Sequence, residues 1–199
     1  MVKMIFEQVE VGDMQNFCYI IADEKSKEAA IVDAGWEPEK LLKTAKSKNL
    51  KIKYILLTHT HYDHINSLAK LFELTRAKIL VHENDADSVE NLGLPYGKLK
   101  DKNEINLGKL KIKVLHTPGH TPGSVCYLVE NKLITGDTLF VEAVGRIDLP
   151  GGSKEELLDS LKKLSKLDGK IEICPGHDYG SRKNSTIDYE KKNNPFMRF

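Results

Sequence analysis

Short apolar runs divided by polar turns open the chain. Met4–Val9, Phe17–Ala22 and Ala29–Val32 are apolar or β-branched and are separated by Gly12-Asp13, Glu24-Lys25-Ser26-Lys27 and Ala34-Gly35, which predicts three strands. The period then changes. Leu41, Leu42 and Ala45 mark one face of a helix over Pro38–Lys48, and Pro38 suits its first turn. Ile52–Leu57 reads as a buried strand that runs directly into Thr58-His59-Thr60-His61. Leu68, Leu71, Phe72 and Leu74 predict a second helix, Lys78–Val81 a strand, and residues Asn91–Lys102 a loop.

The second half repeats the alternation. Leu110–Leu115 is a strand ending at Thr117-Pro118-Gly119-His120. Val125–Val129 and Leu133–Thr135 form a hairpin across Glu130-Asn131-Lys132, where Asn131 would tolerate the positive φ of a tight turn. Ser153-Lys154-Glu155-Glu156 has the form of a capping box, with Ser153 as N-cap and Glu156 reaching back. It opens a helix carrying Leu157, Leu158, Leu161, Leu164 and Leu167. Ile171–Cys174 is a last strand before Pro175-Gly176-His177, and a polar helix follows near Asn184–Lys192. Strands interspersed with helices, with no repeat or linker, predict two packed sheets with helices outside, in one domain over residues 1–199.

Composition narrows the function classes. The 30 basic and 29 acidic side chains leave a net charge of +1, without the basic excess that a nucleic-acid surface needs. No apolar run approaches a membrane span. The start, Met1 to Glu7, meets an acidic residue before an apolar stretch can develop, so it is not read as a secretory leader. Cys18, Cys126 and Cys174 each fall in a strand-like stretch and are expected to be buried, unpaired thiols of a cytoplasmic protein.

The chemistry concentrates where strands end. His59-Thr60-His61-Tyr62-Asp63-His64 places four potential ligands within six residues, directly after a buried strand. Neutral imidazoles suit zinc, and carboxylates complete or bridge a second position. His120, Asp137 and His177 each follow a strand and a turn, and loops at strand ends are where a rigid scaffold presents chemistry. His82 and His116 stand outside this arrangement and are expected not to be ligands. Asp33, before Gly35, is either a turn carboxylate or a partner that orients a ligand histidine.

The ordered set Thr58-His59-Thr60-His61-Tyr62-Asp63-His64, Thr117-Pro118-Gly119-His120-Thr121, Thr135-Gly136-Asp137-Thr138-Leu139-Phe140 and Pro175-Gly176-His177 closely resembles the metallo-β-lactamase superfamily. Within it, the chain looks most like the glyoxalase II group of thioester hydrolases, especially its short members. The resemblance implies a four-layer αββα sandwich with two divalent cations, zinc first and iron or manganese as alternatives, at one edge of the sheets. It implies that His59, His61 and His120 hold the first cation and Asp63, His64 and His177 the second. Asp137 would bridge them, so Asp63 and Asp137 are the carboxylates of the catalytic centre. Two such cations activate water against a carbonyl, and the expected substrate is a small-molecule thioester.

Gly145-Arg146-Ile147-Asp148 resembles a Gly-Arg-x-Asp segment of short glyoxalase II-like proteins and of persulfide dioxygenases. Arg146 is therefore a candidate to meet an anionic substrate group, or else to pair with Asp148. Tyr179 is a second candidate for the cleft wall. The persulfide dioxygenases, which use one iron, are the principal rival, with a nuclease or other ester or lactone hydrolase behind them. Flavodiiron oxidoreductases carry a Glu where this chain has His61. The long glyoxalase II enzymes add a helical domain that grips glutathione, whereas this chain ends 22 residues past His177, so that domain is not expected and the resemblance does not carry glutathione specificity with it.

Overall fold

A computed structural model describes residues 3–199. The reading of the N-terminal stretch rests partly on Met1 and Val2, which lie outside the described residues. Six strands form the first sheet in sequence order: β1 (Met4–Val11), β2 (Asn16–Asp23), β3 (Glu28–Val32), β4 (Lys51–Leu56), β5 (Lys78–His82) and β6 (Tyr96–Leu99). Strands β1 to β3 pair antiparallel, and β3 to β6 pair parallel. The second sheet is built from β7 (Glu104–Leu107), β8 (Leu110–His116), β9 (Val125–Val129), β10 (Lys132–Gly136), β13 (Glu172–Pro175) and β14 (Ser185–Thr186), in the order β14-β13-β10-β9-β8-β7. A two-stranded ribbon, β11 (Leu139–Phe140) with β12 (Ala143–Val144), follows β10.

Side-chain alternation sorts the layers. From β2, Phe17, Tyr19 and Ile21 enter the core between the sheets, where they meet Ile112, Val114 and Tyr127. Cys18, Ile20 and Ala22 face the other way, onto a core shared with α1 (Pro38–Ser47), α3 (Leu68–Thr75) and α4 (Ala86–Glu90). Beneath the second sheet, Cys126, Leu133 and Ile173 pack on Leu157, Leu161 and Leu164 of α5 (Lys154–Leu164) and on Ile187 of α6 (Ile187–Asn193). The result is an αββα sandwich. No described helix is long and apolar enough to cross a membrane.

Four local readings are corrected. Residues Asn91–Lys102 are not all loop, because β6 adds a parallel edge strand to β5 through backbone pairing. Its sequence, Tyr96-Gly97-Lys98-Leu99, is too short and mixed to show a strand period. At the β9–β10 turn Val129 pairs directly with Lys132, so the loop is the two residues Glu130-Asn131, and the positive φ falls on the first of them, Glu130 (51°), not on Asn131. Only half of the capping box forms. Ser153 Oγ accepts from Glu156 N at 3.3 Å, but the Ser153 N–H is already bonded to the Gly119 carbonyl at 2.8 Å. The polar helix near Asn184–Lys192 is α6, shifted to Ile187–Asn193 because Ser185 and Thr186 pair with β13 and Thr186 caps the helix.

Candidate metal centre

Topology brings the strand ends together. Strands β3 and β4 run parallel in one sheet; β10 and β13 run parallel in the other, and β8 shares their direction because two antiparallel steps separate it from β10. All five release their chains at one edge of the sandwich. The loop and short helix α2 (Tyr62–Ile65) after β4 carry His59, His61, Asp63 and His64. His120 follows β8, Asp137 follows β10 and His177 follows β13.

The side chains converge into three overlapping groups. His59, His61 and His120 form one, Asp63, His64 and His177 another, and His59, His64 and Asp137 a third that joins them; within each group the ligand atoms lie within 4.8 Å of one another. His120 Nε2 and His177 Nε2 lie 3.6 and 3.4 Å from Asp137 Oδ2, and His64 Nε2 lies 3.3 Å from Asp137 Oδ1. His177 Nε2 is 3.2 Å from Asp63 Oδ2.

Outer partners decide which nitrogen faces inward. Asp33 accepts from Thr58 N at 2.8 Å and, through Oδ2, from Thr58 Oγ1 at 2.8 Å and His64 Nδ1 at 2.9 Å. Asp33 is therefore an orienting carboxylate as well as a turn residue, held at a left-handed φ of 63°. The Thr58 hydroxyl gives its proton to Asp33, so it accepts from His59 Nδ1, 3.1 Å away. His120 Nδ1 donates to the Arg146 carbonyl at 2.7 Å, and His177 Nδ1 to the Met14 carbonyl at 2.8 Å. Four histidines thus present Nε2. His61 presents Nδ1, 2.8 Å from His120 Nε2.

This donor set fits divalent cations. His59 Nε2 and Asp137 Oδ1 are buried without a hydrogen-bond partner among the described residues, which is costly unless a ligand satisfies them. Two pairs of ring nitrogens face each other closely, His61 with His120 and, at 3.2 Å, His64 with His177; a shared cation relieves both contacts.

The electrostatics divide the centre. Burial, reinforced by His64 on His59 and by His120 on His61, keeps these imidazoles neutral: His59 falls well below its ordinary value and His61 to about 4. Burial opposes charge on His64 and His177 too, but Asp137 outweighs it with Asp33 and Asp63, raising His64 well above its usual range and His177 to about 9. Burial likewise works against the carboxylates, yet the neighbouring histidines hold Asp63 and Asp137 below the carboxylate range.

Sequence reasoning missed several supports. Asn16 Nδ2 donates to Asp63 Oδ2 at 2.8 Å, and Trp36 Nε1 donates to Asn16 Oδ1 at 3.2 Å. The β1–β2 turn thereby steers two ligands, His177 through Met14 and Asp63 through Asn16. No histidine lies in that turn, and its one carboxylate, Asp13, enters no potential ligand group among the described residues, so nothing in it marks a metal centre. The Gly145-Arg146 segment acts through its backbone, since a Cβ at Gly145 would run into the Asp137 carbonyl and the Arg146 carbonyl anchors His120.

Above the ligands opens a cleft of about 540 Å³, lined by apolar side chains with His61, Asp63, His120, Asp137 and His177 at its floor. Tyr179 lies on the wall and stacks on His177, ring centroids 4.5 Å apart. Arg146 also lines the cleft, with its guanidinium forked onto Asp148: Nε to Oδ1 and Nη2 to Oδ2, both 2.7 Å.

Comparison with known proteins agrees with this architecture. Residues 11–177 match the family model described as the metallo-β-lactamase superfamily. A probable polyketide biosynthesis zinc-dependent hydrolase, PksB of Bacillus subtilis, is 34% identical over 173 residues, covering 86% of this chain and 77% of its own. The hydroxyacylglutathione hydrolase GloC of Haemophilus influenzae is 34% identical over 213 residues, covering 98% of each. The crystal structure of ETHE1 from Myxococcus xanthus superposes with a TM-score of 0.88 at 33% identity, covering 96% of this chain and 83% of that one. The matched family model, the αββα sandwich and the histidine–carboxylate cluster at its edge agree: the chain belongs to the metallo-β-lactamase superfamily, a family of metal-dependent hydrolases.

Proposed function

We propose that this protein is a two-metal hydrolase of small-molecule thioesters. The observation that carries the reading is the position of Asp137, which stands between two three-residue ligand groups on the floor of an open cleft. Structural zinc sites are closed and usually thiolate-rich, whereas this set is open, thiolate-free and contains carboxylates. Bound cations would supply a water of lowered pKa and a Lewis acid for the thioester carbonyl. The chain's own residues hold and aim that pair. His59, His61 and His120 face the first position, Asp63, His64 and His177 the second, and Asp137 both. Asp33, Asn16 and the carbonyls of Met14 and Arg146 fix the ligand orientations. A thiolate departs without a strong general acid, which suits a floor built only of metal-facing groups.

The similarity to GloC supports the thioester, and that to PksB supports zinc. We place the protein in the cytoplasm as one domain: Cys18, Cys126 and Cys174 are buried and unpaired, with burial raising their thiols to about 12, 11 and 12. The likeness to ETHE1 favours a second reading, a mononuclear iron persulfide dioxygenase. Metal analysis of protein purified without added metal separates the two. The hydrolase reading expects close to two ions per chain, mainly zinc, with thioester hydrolysis. One iron per chain, with sulfite formed from a thiol persulfide, would replace it with the dioxygenase.

A further inference from the structure

The cleft walls differ in character from its floor. Met14, Tyr62, Phe140, Val144, Leu149 and Tyr179 line it, and Met14, Tyr62 and Tyr179 are 47%, 67% and 52% exposed. Three of the seven large exposed hydrophobic side chains among the described residues therefore gather at this mouth. Apolar exposure concentrated around a polar floor marks a ligand surface.

Among the lining residues Arg146 is the one Lys or Arg. One edge of its planar fork, Nε with Nη2, is held by Asp148 in bidentate geometry, and the Asp148 carboxylate offsets the guanidinium charge that would attract a substrate carboxylate. The pair is exposed, 61% and 66%, so it adds little to folding stability and water reaches it freely. Its consequence is for specificity. A substrate carboxylate that displaced Asp148 would exchange one bidentate pair for an equivalent one and leave Asp148 unpaired beside it, so the exchange yields no net attraction. An apolar chain laid on the walls loses nothing in this way and gains with every buried methylene.

We infer that the cleft selects thioesters with an uncharged, apolar acyl group, and that Asp148 sets this selectivity by masking Arg146. The inference rests on the thioester reading above. The Arg146 carbonyl, bonded to His120, keeps the masked pair fixed beside the metal centre.

The test uses the metal-replete protein with acetyl, butyryl, hexanoyl and succinyl thioesters of one small neutral thiol. The expected kcat/KM rises from acetyl to hexanoyl by up to about fourfold per methylene, and succinyl falls below butyryl. In Asp148→Asn the succinyl-to-butyryl ratio rises roughly tenfold or more, as an unmasked guanidinium gains a charge-assisted bond. A rate flat or falling with acyl length, or a ratio unmoved in Asp148→Asn, overturns the inference. Calorimetry with ketone analogues, in which CH2 replaces the thioester sulfur, reads the cleft without turnover. Tighter binding of the hexanoyl than of the succinyl analogue upholds the inferred selectivity even in a protein that hydrolyses no thioester, an outcome that sinks the hydrolase reading alone; the opposite order sinks the selectivity.

Discussion

The histidines of this chain fall into a group of five and a group of two, and both groups bring imidazoles into contact. His82 and His116 stack nearly parallel, ring centroids 4.0 Å apart. Their nitrogens meet backbone groups: His82 Nδ1 accepts from Asn84 N at 3.4 Å, and His116 Nε2 lies 2.9 Å from the Pro122 carbonyl. The other five surround Asp63 and Asp137; four of them turn their outer nitrogens to fixed partners, and His59 Nε2 and Asp137 Oδ1 are left buried without protein partners. Neither His82 nor His116 enters a potential ligand group among the described residues. Clustered imidazoles are therefore not what makes a cation site. Central carboxylates and unsatisfied, outwardly braced nitrogens make it.

The severest way to break this comparison is Asp137→Ala, which leaves every imidazole in place and removes the shared carboxylate. The expected outcome is loss of metal from both positions, measured by elemental analysis after gel filtration, and a fall in kcat/KM of roughly a thousandfold or more. Retention of both ions would show that the histidines suffice and that the distinction drawn from His82 and His116 is mistaken.

A smaller effect sharpens the role of the braces. Asn16→Ala removes the donor to Asp63 Oδ2 and leaves the imidazoles that face the first position untouched. The loss of such an outer partner weakens metal binding about ten- to a hundredfold. Chelator titration should therefore release one ion from the variant well before the other, at concentrations where the unchanged protein keeps both. Parallel weakening of both ions would assign Asn16 to the fold alone.

Legibility in the sequence follows the range of the interaction that fixes each feature. The sandwich was readable because burial imposes a local period: alternate residues of Phe17–Ala22 enter different cores, and Leu157, Leu161 and Leu164 repeat at helical spacing. The His59–His64 loop was readable because its side chains can coordinate only when concentrated. Asn16, Trp36 and the Met14 carbonyl carry no such mark, since their roles arise from contacts with Asp63 and His177 far along the chain. Arg146 shows the same limit. In the sequence its side chain reads as a candidate anion receptor, while its structural contribution to the centre is a carbonyl, which any residue possesses. Strand β6 was hidden because an edge strand is held by backbone pairing more than by an apolar face.

The smallest expected effect concerns the pair that enters no potential ligand group among the described residues. Burial, helped by the adjacent His116 and by Lys100, lowers His82 to about 4 against the opposing pull of Glu83 and Asp101. An unfolded histidine titrates near 6.5. Between these values the unfolded chain takes up a proton that the folded His82 refuses, so stability falls as the pH drops through this window. The contribution is fully present above about pH 6.5 and levels off below about pH 4. Its size is on the order of 2 kcal/mol, a displacement of several degrees in Tm. Carboxylates and the metal centre also respond to acid, so the measurement is a difference between the protein and His82→Phe, which keeps a ring against His116 and cannot titrate. Losing the acceptor for Asn84 N adds an offset that does not vary with pH. The Tm gap between the two proteins should narrow in favour of the variant as pH falls from 6.5 to 4. Parallel curves would mean that His82 is protonated as readily in the fold as out of it, and the stack would then be no barrier to charge.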